Sequence, residues 1–98
     1  MYSNILKKLG GIKITDKDWR DKILVALAKF NNKHRGQEMQ IGELRRQLEI
    51  NSEVLGDILL DLIKLKYVVG RGGLHKDSSG VKIIIHGKLY LESQGLDY

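Results

Sequence analysis

The 98-residue sequence predicts an α+β domain, a run of helices closed by a β-hairpin. Three observations carry this expectation. Apolar residues recur at helical spacing from Trp19 to Phe30 and again from Val54 to Leu65. The pattern then turns β-favouring at Tyr67-Val68-Val69 and at Val81 to Ile85, on either side of the turn-rich stretch Gly70 to Gly80. No proline, repeat or shift of composition divides the chain. A single domain is therefore expected over residues 1–98, with 1–14 as an amphipathic N-terminal extension and 15–95 as the core.

The elements follow in order. Tyr2, Ile5, Leu6 and Leu9 fall on one side of a short helix that Gly10 ends. Thr15 to Asp18 has capping-box spacing. The next helix buries Trp19, Ile23, Ala26, Leu27 and Phe30, widened by Leu24, Val25 and Ala28, and stops near Asn31-Asn32 and Gly36. Glu38 to Ile41 alternates over too few residues to choose between a short strand and a loop. Glu43 to Glu49 reads as two helical turns, with Leu44 and Leu48 inward and Arg45 and Arg46 outward. Asn51 or Ser52 caps a further helix that runs to about Lys66. Its apolar side holds Val54, Leu55, Ile58, Leu59, Leu62 and Leu65, and its solvent side Glu53, Asp57, Leu60, Asp61 and Lys64. After the hairpin, Gly87 to Gln94 forms a last helix.

Composition bounds the function. Without cysteine there is neither a disulfide framework nor a thiolate metal site. The longest apolar run, Ile23 to Ala28, is far too short to span a bilayer, and Met1 to Thr15 lacks a signal-peptide core. A cytoplasmic protein is expected. His34, His75 and His86 have no metal-ligand spacing, and Ser78-Ser79 has no nucleophile-elbow context. Neither an enzyme nor a cofactor is expected, and no metal. The net charge of +5 and a pI near 9.5 make polyanions candidate partners. The basic excess sits in Lys7, Lys8 and Lys13 at one end and in Arg71, Lys76, Lys82 and Lys88 towards the other.

The order helix, short strand, helix, turn, helix, hairpin is that of a helix-turn-helix with a wing. Leu62 to Val68 is similar to the passage "L-x-x-x-G/K-Y-I/V" between recognition helix and wing, and Ile84 to Glu92 is similar to the closing pattern "L-T-x-x-G-x-x-Y-L", from which His86 departs. From Asp16 to Glu92 the chain thus resembles the winged helix-turn-helix superfamily, including its small bacterial and phage-type members. The resemblance implies a three-helix core with a β-hairpin wing, here with an extra N-terminal helix and a short C-terminal helix. It implies double-stranded DNA as partner and transcription regulation as role, while some members bind proteins.

On that basis the expected DNA contacts are Arg45 and Arg46 on the helix that crosses the phosphates, Ser52 at the head of the recognition helix, and Arg71, His75 and Lys76 in the wing. The three carboxylates on the third helix oppose this, because duplex DNA carries a negative charge every ~1.7 Å of axis. A protein-docking adaptor that uses the acidic helix is the alternative. Tyr2, Ile5, Leu6 and Leu9, joined by Leu89, Tyr90, Leu91, Leu96 and Tyr98, offer an apolar surface for a homodimer, with fold-back of the first helix on its own domain as the competing arrangement.

Overall fold

A computed structural model of the protein describes residues 16–98. The stretch containing Tyr2, Ile5, Leu6, Leu9 and the Thr15 cap lies outside the described residues. The elements are α1 (Asp16–Lys33), β1 (Met39–Gln40), α2 (Ile41–Leu48), α3 (Ser52–Lys64), β2 (Val68–Arg71), β3 (Gly80–Ile83) and α4 (Ile85–Ser93). Among the described residues, four helices and a three-stranded antiparallel sheet make the mixed α+β class that the periodicities predict.

Helix α1 is the axle. Ile23, Leu24, Leu27 and Ala28 are almost wholly withdrawn from solvent, with Trp19, Val25 and Phe30 half-buried at the margins. Against this face pack Leu44 of α2, then Leu55, Leu59 and Leu62 of α3, Val81 and Ile83 of β3, and Leu91 of α4. The sheet order is β1-β3-β2, so β3 is central. Met39 pairs with Val81 on one side, and Val68 with Ile83 and Arg71 with Gly80 on the other. Strand alternation turns Val81 and Ile83 inward and leaves Lys82 on the opposite face.

Asn51, not Ser52, caps α3: its Oδ1 accepts from the backbone N–H of Glu53 at 2.8 Å and of Val54 at 3.3 Å. Ser52 is the first helical residue. At the far end, Lys66 takes the left-handed conformation at φ 63°. That is the position where the resembling pattern admits glycine or lysine, and the turn there redirects the chain into β2. The helix thus stops at Lys64, short of the expected Lys66.

Three expectations are corrected. Val54 and Leu65, placed on the apolar side of α3, are 42% and 46% exposed, because α1 and the sheet cover only the strip of Leu55, Ile58, Leu59 and Leu62. The strand expected over Val81 to Ile85 ends at Ile83, where Ile84 N–H donates to Tyr67 O at 3.0 Å and the chain turns into α4. The loop expected over Gly70 to Gly80 contracts to residues 72–79, since both end glycines are in the ladder.

The C-terminal segment belongs to the domain. Tyr90 stacks on Tyr67 at 5.0 Å and donates through its hydroxyl to Asp21 Oδ1 at 2.7 Å. Lys88 Nζ reaches Asn31 Oδ1 at 2.8 Å, and Tyr98 donates to Glu92. Of the tail residues expected at a dimer surface, Leu91 is buried and Tyr90, Leu96 and Tyr98 are half-buried against their own core. Only Leu89 stays exposed, one helical turn from exposed Ile85.

Candidate docking surface

The outer surface of α2, α3 and the hairpin is built around the loop 72–79, and this loop is not a free arm. Leu74 is buried, and a Cβ on Gly70 would meet its side chain and that of Ile63. Lys76 N–H donates to Gly73 O, and Ser79 N–H to Lys76 O, each at 3.1 Å, which folds the loop into consecutive turns. The loop then supplies carbonyls to the head of α2: Ile41 N–H donates to Ser79 O and Gly42 N–H to Asp77 O, both at 2.9 Å. The first turn of a helix has N–H groups with no partner inside the helix, and here a distant segment satisfies two of them.

Side chains add further ties. Arg45 grips Asp77 with both arms of its fork, Nε to Oδ1 at 3.1 Å and Nη2 to Oδ2 at 2.8 Å. Arg71 Nε and Nη2 both donate to Glu38 Oε1, at 2.9 and 2.6 Å. His75 lies across Gly56 of α3, where a Cβ would strike the imidazole ring, and its Nε2 is 3.2 Å from Asp57 Oδ1. The expectation of a guanidinium on a flexible wing backbone is therefore corrected. Arg71 is in the sheet and already has a carboxylate partner.

Of the six residues expected to contact DNA, Arg45, Arg71 and His75 thus face acids of their own chain. Ser52 is half-buried. Arg46 and Lys76 are exposed and have no ion-pair partner among the described residues. From Glu38 to Lys82 the chain carries seven Lys or Arg and seven Asp or Glu, so the stretch from β1 through β3 is electrically neutral. The net +5 comes from three positive charges ahead of α1 and three more in α1 with the link that follows it, less one from residues 83–98.

The ion pairs set a pH dependence. The hydrogen bonds from Arg71 hold Glu38 below the ordinary 4.5, and those from Arg45 hold Asp77 below 3.8. A carboxylate whose folded pKa is depressed binds protons more readily unfolded, so stability rises with pH in that window. The contribution is complete above the ordinary values and disappears as pH falls through the lowered ones. Thermal melts between about pH 5 and pH 2 should show this loss. The Arg71→Gln Arg45→Gln variant should show a shallower decline, and added salt should blunt the wild-type slope because both pairs face solvent. Identical slopes in wild type and variant would refute these pairings.

The exposed face of α3 is continuous. Glu53, Asp57 and Asp61 are solvent-facing, with Lys64 at its end, and Val54 and Leu60 are exposed by 42% and 43%. Sequence periodicity reveals the carboxylates. It misses the loop contacts, because Glu38–Arg71 and Arg45–Asp77 join residues far apart in the chain. The three histidines do not converge: His34 packs on Phe30 at 4.7 Å, His75 faces Asp57, and His86 is exposed on α4. No described helix is long and apolar enough to cross a membrane. Comparisons with protein-family models, curated proteins and solved structures find no match for this chain.

Proposed function

We propose that the protein is a winged-helix recognition module that docks a basic protein segment through α3. The element order and the helix-turn-helix arrangement of α2 and α3 support the winged-helix reading. The observation that carries the choice of partner is the outer face of α3, where Glu53, Asp57 and Asp61 stand beside exposed Val54 and Leu60. Carboxylates flanking apolar side chains complement an amphipathic segment rich in lysine or arginine. The same carboxylates repel phosphate, and the region's arginines at 45 and 71 are committed to Asp77 and Glu38.

DNA remains the second reading, favoured by the element order together with exposed Arg46 and Lys76. Fluorescence anisotropy with two labelled probes separates the two. One probe is a random-sequence duplex, the other an amphipathic lysine–leucine peptide. The peptide should bind, and Asp57→Lys Asp61→Lys should weaken it at least about tenfold, equivalent to ~1.4 kcal/mol. The duplex should show no saturable binding at moderate salt. A duplex affinity that falls with log[salt] at a slope near −4 to −6, the release expected for roughly five or six phosphate contacts, would replace this reading with the DNA one.

A further inference from the structure

We propose that the cleft between α1 and α2 is a binding site for a nucleoside monophosphate, with the phosphate on Lys29 and Lys33 and the base against the aromatic side chains of Phe30 and Tyr98. None of these residues belongs to α3 or the hairpin, so the site is separate from the docking face proposed above.

Shape is the first ground. A cavity of about 460 Å³ opens between the C-terminal half of α1 and α2, with Tyr98 also in its wall. Small-molecule sites are commonly ~300–1,000 Å³. Helical spacing builds both long walls. Ala26, Lys29, Phe30 and Lys33 fall on one side of α1, and Glu43 and Gln47 are one turn apart on α2. Ala26 gives the cleft its depth, because it is buried and its methyl group leaves room that a longer side chain would fill.

Chemistry is the second ground. Phe30 and Tyr98 are only half-buried, so part of each stays open to the cleft. Both are held in place: Phe30 packs on His34 at 4.7 Å, and the Tyr98 hydroxyl donates to Glu92 at 3.0 Å. Fixed aromatic rings are stacking platforms for a nucleobase. Lys29 and Lys33 add two ammonium groups one turn apart. Neither makes an ion pair among the described residues, although Glu43 lines the same cavity. They differ in this from Arg45 and Arg71, which already hold Asp77 and Glu38. Two cations without acids fit a phosphate, and the amide of Gln47 with the carboxylate of Glu43 fits the edge of an amino-bearing base. An apolar ligand would leave the lysines unused, and a bare anion would leave the rings unused. A ligand that carries both a flat ring and a phosphate uses the whole lining.

The test is a titration of the 15N-labelled full chain with adenosine monophosphate at constant ionic strength, followed by amide shifts. The shifts should saturate and centre on Phe30, Gln47 and Tyr98, while Asp57, Asp61 and Lys76 stay in place. Adenosine alone and inorganic phosphate alone should each bind at least about tenfold more weakly, since each fills half of the site. Lys29→Gln Lys33→Gln and, separately, Gln47→Glu should weaken the monophosphate at least about tenfold with the α3 signals unchanged, all three positions being exposed. Shifts that do not saturate, shifts centred on α3 or the hairpin, equal affinity for inorganic phosphate, or undiminished binding in both variants would overturn the proposal. So would a single-stranded oligonucleotide that binds the cleft when the monophosphate does not, because the lysines would then follow a nucleic-acid backbone. Neither the basic peptide nor duplex DNA enters this titration, so its outcome is independent of the α3 result.

Discussion

Gly87→Ala should destabilise the domain by about 1–3 kcal/mol, visible as a lower urea midpoint at unchanged m. In an exposed helix the same change would stabilise by up to ~1 kcal/mol, since alanine is the better helix former. Here the close approach decides the sign. Gly87 is buried where α4 presses on the hairpin, and an added Cβ would run into the backbone oxygen of Tyr67 and stand 2.7 Å from Ile83 Cγ1. A flexible side chain could yield, but Tyr67 O is held as the acceptor of Ile84 N–H. The helix would have to back away, pulling Leu91 from the core and Tyr90 from Tyr67. A gain in stability would mean that α4 does not sit against the hairpin as described.

Leu62→Ala should cost more, about 2–5 kcal/mol, as a fully enclosed leucine replaced by a cavity does. Leu62 of α3 has no solvent exposure and lies beside Leu24 of α1. For a domain of this size each kcal/mol lowers the melting temperature by roughly 4–8 °C, so the variant should melt far below the wild type in calorimetry. Since whole domains are stable by only ~5–15 kcal/mol, a large share of the total is at stake. Leu65→Ala, one turn further on and half exposed, should cost much less by its contacts with the described residues. Equal costs at the two positions would contradict the burial pattern of α3.

The parts of this fold that were readable from sequence are those governed by local periodicity. Ile23, Ala26 and Leu27 on α1 and Leu55, Ile58, Leu59 and Leu62 on α3 sit where helical spacing places them. Spacing does not say where the covering neighbours stop, so Val54 and Leu65 looked like core and are surface. Leu74 was hidden for a different reason. A lone apolar residue in a glycine-rich loop has no period, and its only signal is being the one large apolar side chain between Arg71 and Gly80. The carboxylates of the candidate face were legible, because Glu53, Asp57 and Asp61 recur at helical intervals. The ties that engage Arg45 and Arg71 were not, since a single sequence holds no record of which distant acid meets which base.

The loop's hold on α2 has a consequence for how the chain assembles. Helix α2 has eight residues, too few to persist alone in water. Two of its leading amides find acceptors only at Asp77 and Ser79, beyond α3 and β2 in the chain. During synthesis α2 emerges long before those carbonyls exist, so the α2–α3 pair is completed from its C-terminal side, once the hairpin closes. Non-local closure of this kind is the slow part of folding. A cut within the hairpin would therefore remove more than two strands: it would leave α2 uncapped and α3 without its seat, and the acidic face would be presented only by a chain synthesised through β3.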